Sequence, residues 1–482
     1  MNFPMLSRYL GLFFLMFGLF LVPPVVVAVI YFEFHLLPAF LLAIGMSALL
    51  GAGLMRFGRD ASGRMYAREA LAVVGLGWLI GAALGGIPFW VGGMVPSFVD
   101  AYFESMSGFT TTGASVLADI ESQAKSLLFW RSFTHWLGGM GIIVLFVSIL
   151  PYLGAGGKQL FKNESPGPDP RGLVPKIRDT ASILWKIYMG LTLTEILVLR
   201  VLGMDWFDSF CHTFGTLATG GFSTRNASIA AYASWPIEFT ILIFMILAGT
   251  NFSLYFQLRS DKKVFVKDSE WRVYIGILFL ATILITANVW LSGLSDFLQS
   301  LRDASFSVVS VMTTTGYVTS DFDKWPSFSH VVLMTLMFIG GSAGSTGGGL
   351  KVIRLLMLWK IGVERLRRAF SPRSVRAIRI GNEIVSAELQ SNVTIFFVLW
   401  VFLFALGTFV LTALGLDFTT GFSAVAATLN NIGPGFAAVG PTAHYGDLPT
   451  SAKWLLSFFM VIGRVEMFAI LVMFIPDFWR KS

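Results

Sequence analysis

Long apolar stretches, separated by short polar ones, run the length of this chain. A transmembrane helix needs about 20 mostly apolar residues. Ten such spans are predicted, at 9–32, 36–57, 69–93, 127–151, 181–203, 234–257, 272–294, 328–359, 388–415 and 452–477. The first is too long for a signal-peptide core, because residues 10–31 are nearly unbroken, and no convincing small-residue cleavage site follows. It is expected to be a retained helix.

Composition agrees. Of 482 residues, 55% are hydrophobic and 13% charged, against about a quarter charged in soluble proteins. Mean hydropathy is +0.72. These values exclude a soluble enzyme, a disordered tail protein and a nucleic-acid binder. Cys211 is the one cysteine, which excludes a disulfide scaffold, and no Cys/His cluster has zinc-ligand spacing. The 49 glycines suit close approach of membrane helices. The expected fold is all-α and polytopic.

The net charge of +7 gains meaning only when placed by side. Basic residues cluster at Arg56, Arg59, Arg64 and Arg68; at Lys158, Lys162, Arg171, Lys176 and Arg178; at Arg259, Lys262, Lys263, Lys267 and Arg272; and most densely between Lys360 and Arg379. These lie in alternate loops, and Arg480 and Lys481 lie at the terminus. The positive-inside bias places both termini and the basic loops in the cytoplasm. Topology alone accounts for such runs; a docking surface for a cytoplasmic partner is the other reading, strongest for 360–379. Acids collect on the opposite side, among them Asp100, Glu104, Asp119, Asp208, Asp303, Asp323 and Asp417. They raise local cation concentration, or cap helices, as Asp100, Asp303 and Asp417 are placed to do.

After the first two spans a pattern repeats. A Phe is followed ten residues later by a Gly in a Thr-rich stretch: Phe103 leads to Gly113 behind Thr111 and Thr112, Phe210 to Gly220 behind Ala218 and Thr219, and Phe306 to Gly316 behind Thr314 and Thr315. In the fourth copy Phe422 leads, eleven residues on, to Gly433 behind Asn431 and Ile432. One Thr-Thr-Gly triplet means nothing; two Thr-Thr-Thr-Gly copies and two variants, each between two spans, carry a signal. The predicted unit is span, half-helix, Thr/Gly segment, span. Non-helical backbone at membrane depth must be buried in protein or line a water-filled cavity, and four copies achieve this by converging on one axis. Carbonyl oxygens there replace a cation's hydration shell, glycine supplies positive φ without cost, and the half-helix C-termini carry partial negative charge. The predicted divisions are 1–68 for an N-terminal two-helix extension, then pore repeats at 69–180, 181–271, 272–387 and 388–482.

These segments resemble the four filter segments of Trk-type potassium uptake permeases of the Trk/Ktr/HKT superfamily, over essentially the whole chain. The two extra N-terminal spans resemble the TrkH-like bacterial subgroup. The resemblance implies a fourfold pseudosymmetric K⁺ pore in the inner membrane, a homodimer, and a cytoplasmic nucleotide-binding regulatory subunit of TrkA type. Glycine at 113, where a serine is associated with sodium transport in the superfamily, favours potassium. Asn430 and Asn431 depart from the threonines of copies one and three.

Two further features stand out. Gly340, Gly341, Gly344, Ser345, Thr346, Gly347, Gly348 and Gly349 interrupt the span at 328–359, and each helical glycine costs about 1 kcal/mol relative to alanine. A break with a mobile loop is predicted; close helix packing, as in the Gly77, Gly81, Gly85 series, is the plainer alternative. Gly344 and Gly349 have P-loop spacing, but Leu350 precedes Lys351 where that motif needs Gly-Lys-Ser/Thr. The resemblance implies an intramembrane gate at this run. Arg464 lies inside the last span, where charge is costly and marks function by default. A pair with Glu466 fails on geometry, since residues two apart do not share a helix face. Arg464 is expected beneath the Thr/Gly segments, beside the glycine run. No enzyme constellation and no cofactor are expected, K⁺ being cargo. A K⁺/H⁺ or K⁺/Na⁺ symporter is the alternative function, although four repeats in one orientation favour a pore over paired inverted repeats.

Overall fold

An apolar segment in a bilayer satisfies its backbone only by pairing within itself, so the spans become helices. The structure, a computed structural model, describes residues 1–61, 65–141, 177–371, 376–381, 383–465 and 467–480. Helices α1 (Phe3–Phe20) and α2 (Val22–Ile30) form one stretch, followed by α3 (Leu37–Phe57).

From α4 onward one order of elements recurs four times: a long helix, a short helix, an irregular segment and a second helix. Unit 1 holds α4 (Ala67–Val91), α5 (Phe98–Phe109) and α6 (Lys125–Gly139). Unit 2 holds α7 (Ile177–Val201), α8 (Trp206–Leu217), α9 (Trp235–Ala248) and α10 (Phe252–Gln257), with α11 (Val264–Lys267) leading onward. Unit 3 holds α12 (Ser269–Leu291), α13 (Phe297–Met312), α14 (Ser327–Met337) and α15 (Val352–Phe370). An antiparallel hairpin of β1 (Arg379–Ile380) and β2 (Glu383–Ile384) follows. Unit 4 holds α16 (Ala387–Ala413), α17 (Phe418–Leu429), α18 (Thr450–Arg464), α19 (Met467–Leu471) and α20 (Pro476–Trp479).

Six helical stretches among the described residues are long and apolar enough to cross a membrane. They coincide with the first, second, third, fifth, seventh and ninth expected spans. The chain is a polytopic helical membrane protein. Three of the other four expected spans are interrupted. The span at 234–257 breaks at Gly249–Thr250–Asn251, that at 328–359 opens over 338–351, and that at 452–477 breaks after Arg464. In the span at 127–151, α6 ends at Gly139, and residues 142–151 lie outside the described residues. Only the second of these breaks is written in a glycine run. Arg64, Lys158, Lys162, Arg171, Lys176, Glu466 and Lys481 also lie outside the described residues.

The capping expectation needs correction. Asp417 does cap α17, accepting from the Thr420 N–H at 3.0 Å. α13, however, begins at Phe297, so Asp303 lies inside it and Asp296 is the cap. In unit 1 the cap is Ser97, with Asp100 three residues on. Lys186 is exposed and Glu195 fully buried on α7; nine residues apart, they take opposite faces.

α4 is the most enclosed of the six, with 72% of its apolar window buried against 28–39% in the others. Its small residues explain this. Gly77 and Gly81 receive the rings of Phe13 and Phe17 from α1, and Gly86 lies against the backbone of Ala101 in α5. The series is therefore packing. A side chain at Gly86 would meet the Ala101 carbonyl oxygen at 2.8 Å, whereas nothing lies within 4 Å at Gly53. Gly86→Leu is expected to lower the melting temperature measured by fluorescence-detected size exclusion. Gly53→Ala should leave it unchanged or raise it, the gain in helix propensity being at most about 1 kcal/mol.

Candidate ion pathway

Four short helices deliver the Thr/Gly segments. α5, α8 and α17 have 12 residues and α13 has 16, so the shorter ones reach about 18 Å into a core about 30 Å thick. Side-chain oxygens of Ser97, Asp205, Asp296 and Asp417 accept the N–H of Asp100, Asp208, Gln299 and Thr420. The helices end in buried caps at Thr110, Ala218, Thr313 and Asn430, where their partial negative charge collects.

Beyond each cap the backbone follows one scheme. Thr111, Thr219, Thr314 and Asn431 are left-handed, with φ of 54°, 54°, 61° and 55°. Two residues on, Gly113, Gly221, Gly316 and Gly433 have φ of 80°, 77°, 79° and 99°. Thr112, Gly220, Thr315 and Ile432 lie between. The expected register in unit 2 is therefore one residue early: Gly221, not Gly220, holds the place of Gly113, and Thr219 that of Thr111. The ten-residue interval misleads there because Cys211, not Phe210, stands where Phe103 and Phe306 stand. In unit 4 the same place belongs to Ser423, and Gly433 is in register.

The four segments close on one another. A Cβ at Gly113 would strike the Gly220 carbonyl oxygen, at Gly221 that of Thr315, at Gly316 that of Ile432, and at Gly433 that of Thr112, at 2.7 Å. Each glycine thus leans on the middle carbonyl of the next segment, and the fourth returns to the first. Thr110 and Thr313 each bond the carbonyl four residues back and the hydroxyl of Thr112 or Thr315, at 2.8 Å. Asn430 makes the same backward bond with its amide, to Ala426, at 2.9 Å. The Asn431 amide donates to the Thr112 hydroxyl at 2.9 Å, joining unit 4 to unit 1.

Residues that the sequence reading did not connect with the Thr/Gly segments brace this ring. Between units 1 and 2, Arg131 pairs with Glu104 at 2.6 Å, donates to the Ser223 carbonyl at 2.9 Å and lies over the Phe222 ring at 3.5 Å. Glu104 also accepts the Val116 N–H at 2.9 Å. Tyr317 donates its hydroxyl to the His212 carbonyl in unit 2 at 2.9 Å. Asp323 accepts the Ala437 N–H at 3.0 Å, joining units 3 and 4. Tyr445 donates its N–H to the Ser115 carbonyl, joining unit 4 to unit 1, and its O–H to the Gly433 carbonyl, both at 2.8 Å. Arg131 meets the criterion that picked out Arg464, a charge inside an apolar span. In the loops that follow the Thr/Gly segments, burial raises the Asp323 carboxyl above its ordinary value, and the hydrogen bond from the Asn226 side chain lowers that of Asp119.

The glycine-rich stretch 338–351 packs directly against the ring. Gly348 donates N–H to the Thr314 hydroxyl at 2.8 Å, and a Cβ there would meet Asn430 and Asn431 at 2.7 and 2.8 Å. Gly347 accepts from the Lys351 ammonium. Gly340 donates to Leu350 at 2.7 Å, and Gly341 accepts from Val352 at 3.2 Å, closing the base. Gly344 and Gly349 have φ of 72° and 68°, and the Ser345 hydroxyl bonds Ser342 at 2.6 Å. Thr346 binds the Ala248 carbonyl through both N–H and hydroxyl. Arg464 donates to the Thr346 carbonyl at 2.5 Å and to those of Gly138 and Gly139 at 2.5 and 2.7 Å. It lies beside the glycine run and joins it to the end of α6. Glu270, in the first turn of α12, accepts from the N–H of Ala343 at 2.7 Å and of Ile353 at 3.1 Å, tying the middle of the stretch to the first turn of α15.

A helical membrane protein that brings four half-length helices and their Thr/Gly backbone to one closed ring has the build of a membrane transport protein. The chain belongs to the TrkH family, described as cation transport protein, whose profile matches residues 36–481. It is 40% identical to the Trk system potassium uptake protein TrkH of Halomonas elongata and to that of Escherichia coli K12, over all of both chains in each case. It is 33% identical to the Trk system potassium uptake protein TrkG of E. coli K12, over 97% of this chain and 96% of that one. The crystal structure of the potassium transporter TrkH from Vibrio parahaemolyticus matches with a TM-score of 0.88 at 36% identity, covering all of both chains. The family is one of transporters, not enzymes.

Removing one partner of a buried ion pair strands the other charge, at a cost of about 3–5 kcal/mol. Arg131→Ala should therefore destabilise the protein far more than Lys267→Ala, which breaks an exposed pair with Asp261. Thermal unfolding of the purified variants measures the difference.

Proposed function

We propose that this chain takes up K⁺ through one central pore formed by four pseudo-repeats, at 69–180, 181–271, 272–387 and 388–482, behind a two-helix extension at 1–68. The reading has ten membrane-crossing segments, three of them interrupted, in the inner membrane with both termini cytoplasmic; the loop charges support that orientation. The observation that carries it is the closed contact of the four Thr/Gly segments, with backbone and hydroxyl oxygens and no carboxylate. Such oxygens substitute for the hydration shell of a monovalent cation. The names of the full-length relatives support potassium as cargo.

In this reading the filter comprises Thr111–Thr112–Gly113, Thr219–Gly220–Gly221, Thr314–Thr315–Gly316 and Asn431–Ile432–Gly433, with Ala218 as the cap before the second. The gate comprises the stretch from Gly340 to Gly349 together with Arg464. The stretch blocks the pathway beneath the filter, and the fixed guanidinium raises the barrier to cations there until the stretch moves. A homodimer and a cytoplasmic nucleotide-binding subunit complete the assembly; the word "system" in the relatives' names supports more than one component.

The test is ion flux into liposomes holding only the purified chain. K⁺ flux well above Na⁺ and choline flux, with no proton gradient, is the expected result. Flux that requires a proton or sodium gradient would replace the pore with the coupled symporter. Gly113→Ser and Gly221→Ser are each expected to push the neighbouring carbonyl aside and raise relative Na⁺ flux, and unchanged selectivity in both would sink the filter assignment. Arg464→Ala is expected to increase flux or leak at matched protein density; unchanged flux would remove the guanidinium from the gate.

A further inference from the structure

The basic end of α12 meets α15, the helix that leaves the glycine-rich stretch, around a cavity of about 310 Å³ lined by Ser269, Arg272, Val273, Leu356 and Lys360. Two cations and a hydroxyl share this space with two aliphatic side chains. The Lys360 ammonium uses one donor, on the Arg379 carbonyl at 2.5 Å. Arg272 makes two long contacts within its own turn, to the Asp268 carbonyl and the Ser269 hydroxyl, both at 3.4 Å. The Asp268 carboxylate is occupied capping α12, at 2.7 Å from the Trp271 N–H.

The cavity lies at a membrane boundary. α12 begins at Ser269 and continues as an apolar span whose Phe279, Leu280 and Ile283 are exposed. Trp359, one residue before Lys360, is 72% exposed, as suits an aromatic side chain at headgroup level. Lys262, Lys263 and Lys267 are exposed just before α12. Basic pockets between membrane helices on the cytoplasmic side bind anionic headgroups. A free anion would gain nothing from Val273 and Leu356, whereas the glycerol and first acyl carbons of a lipid would cover them.

We propose that an anionic phospholipid binds here, its phosphodiester between Arg272 and Lys360 and its glycerol and upper acyl chain along Val273 and Leu356. The site touches both supports of the glycine-rich stretch. Glu270, next to Ser269, holds Ala343 and Ile353, and α15 starts one residue after the stretch ends. Bound lipid fixes α15 against α12 and so sets the ease with which the stretch moves; this second part rests on the gate reading above.

Native mass spectrometry of the purified full chain, offered phosphatidylglycerol, phosphatidylcholine or free glycerol phosphate, tests the site. Phosphatidylglycerol should be retained over both others. The double variant Arg272→Gln/Lys360→Gln should lose at least about tenfold of that retention, since each basic residue near a membrane surface contributes about 1 kcal/mol. The charge-keeping Arg272→Lys/Lys360→Arg variant should keep most of it, which separates loss of charge from misfolding. Equal retention by the native chain and the Gln variant, or retention of glycerol phosphate alone, overturns the site. In flux assays, native vesicles of phosphatidylcholine with and without phosphatidylglycerol should differ, and the Gln variant should not. If retention falls and flux does not respond, the coupling is overturned while the site stands. Absence of K⁺ flux in every lipid overturns the pore reading instead, and leaves the retention result intact.

Discussion

Irregular backbone inside an apolar slab must find hydrogen-bond partners within the protein, and the architecture follows from that demand. The interruptions of the second helices and the ends of the half-helices serve each other. Gly138 lies against the Phe109 carbonyl, Gly249 against Thr313, Gly348 against the Asn430 carbonyl and Gly463 against that of Leu429. A helix that breaks there frees carbonyls at its own end. Arg464 collects three of them, from Gly138, Gly139 and Thr346. Its guanidinium therefore stabilises opened backbone as well as presenting charge, and one residue satisfies carbonyls from two units.

The N-terminal helices extend the same logic outward. The Glu33 carboxylate accepts the N–H groups of Lys125 and Ser126 at 2.7 and 2.9 Å, satisfying the start of α6. Phe17 of α1 packs on Phe109 and Trp130, with ring centroids 5.5 and 6.4 Å away. The extension thus buttresses the first unit from behind, where the end of α5 turns into its Thr/Gly segment.

Much of this was legible in the sequence, for identifiable reasons. The membrane-crossing helices are legible because apolar length is a property of one segment at a time. The segments of units 1 and 3 are legible because Thr-Thr-Thr-Gly recurs there. Unit 2 slipped by a residue because its two consecutive glycines, 220 and 221, offer two equal readings, and only the φ of each distinguishes them. The breaks after Ala248 and Arg464 were not legible, since a break of a few residues in an apolar run leaves no run of breakers; ten residues at 340–349 do. Glu270 was missed because an acid in the first turn of a helix looks like a cap, and its bonds to Ala343 and Ile353 span more than seventy residues of sequence. Glu104 was read as one of the outward acids, and its pairing with Arg131 depends on contacts that no local spacing encodes.

The position between the two left-handed residues holds Thr112, Gly220, Thr315 and Ile432, four residues with three different side chains, a hydroxyl, a hydrogen and a butyl group. Its carbonyl does the same thing in all four units. The main-chain arrangement is shared while the side chain answers to its own surroundings: a Cβ at Gly220 would meet the His135 ring at 2.5 Å, and the Thr112 hydroxyl takes the Asn431 amide. One residue further on, all four units require glycine, because the neighbouring segment's carbonyl fills the space a methyl group would need. What the four units hold in common is therefore a path of the main chain, and each unit fits its own side chain to the neighbours around that path.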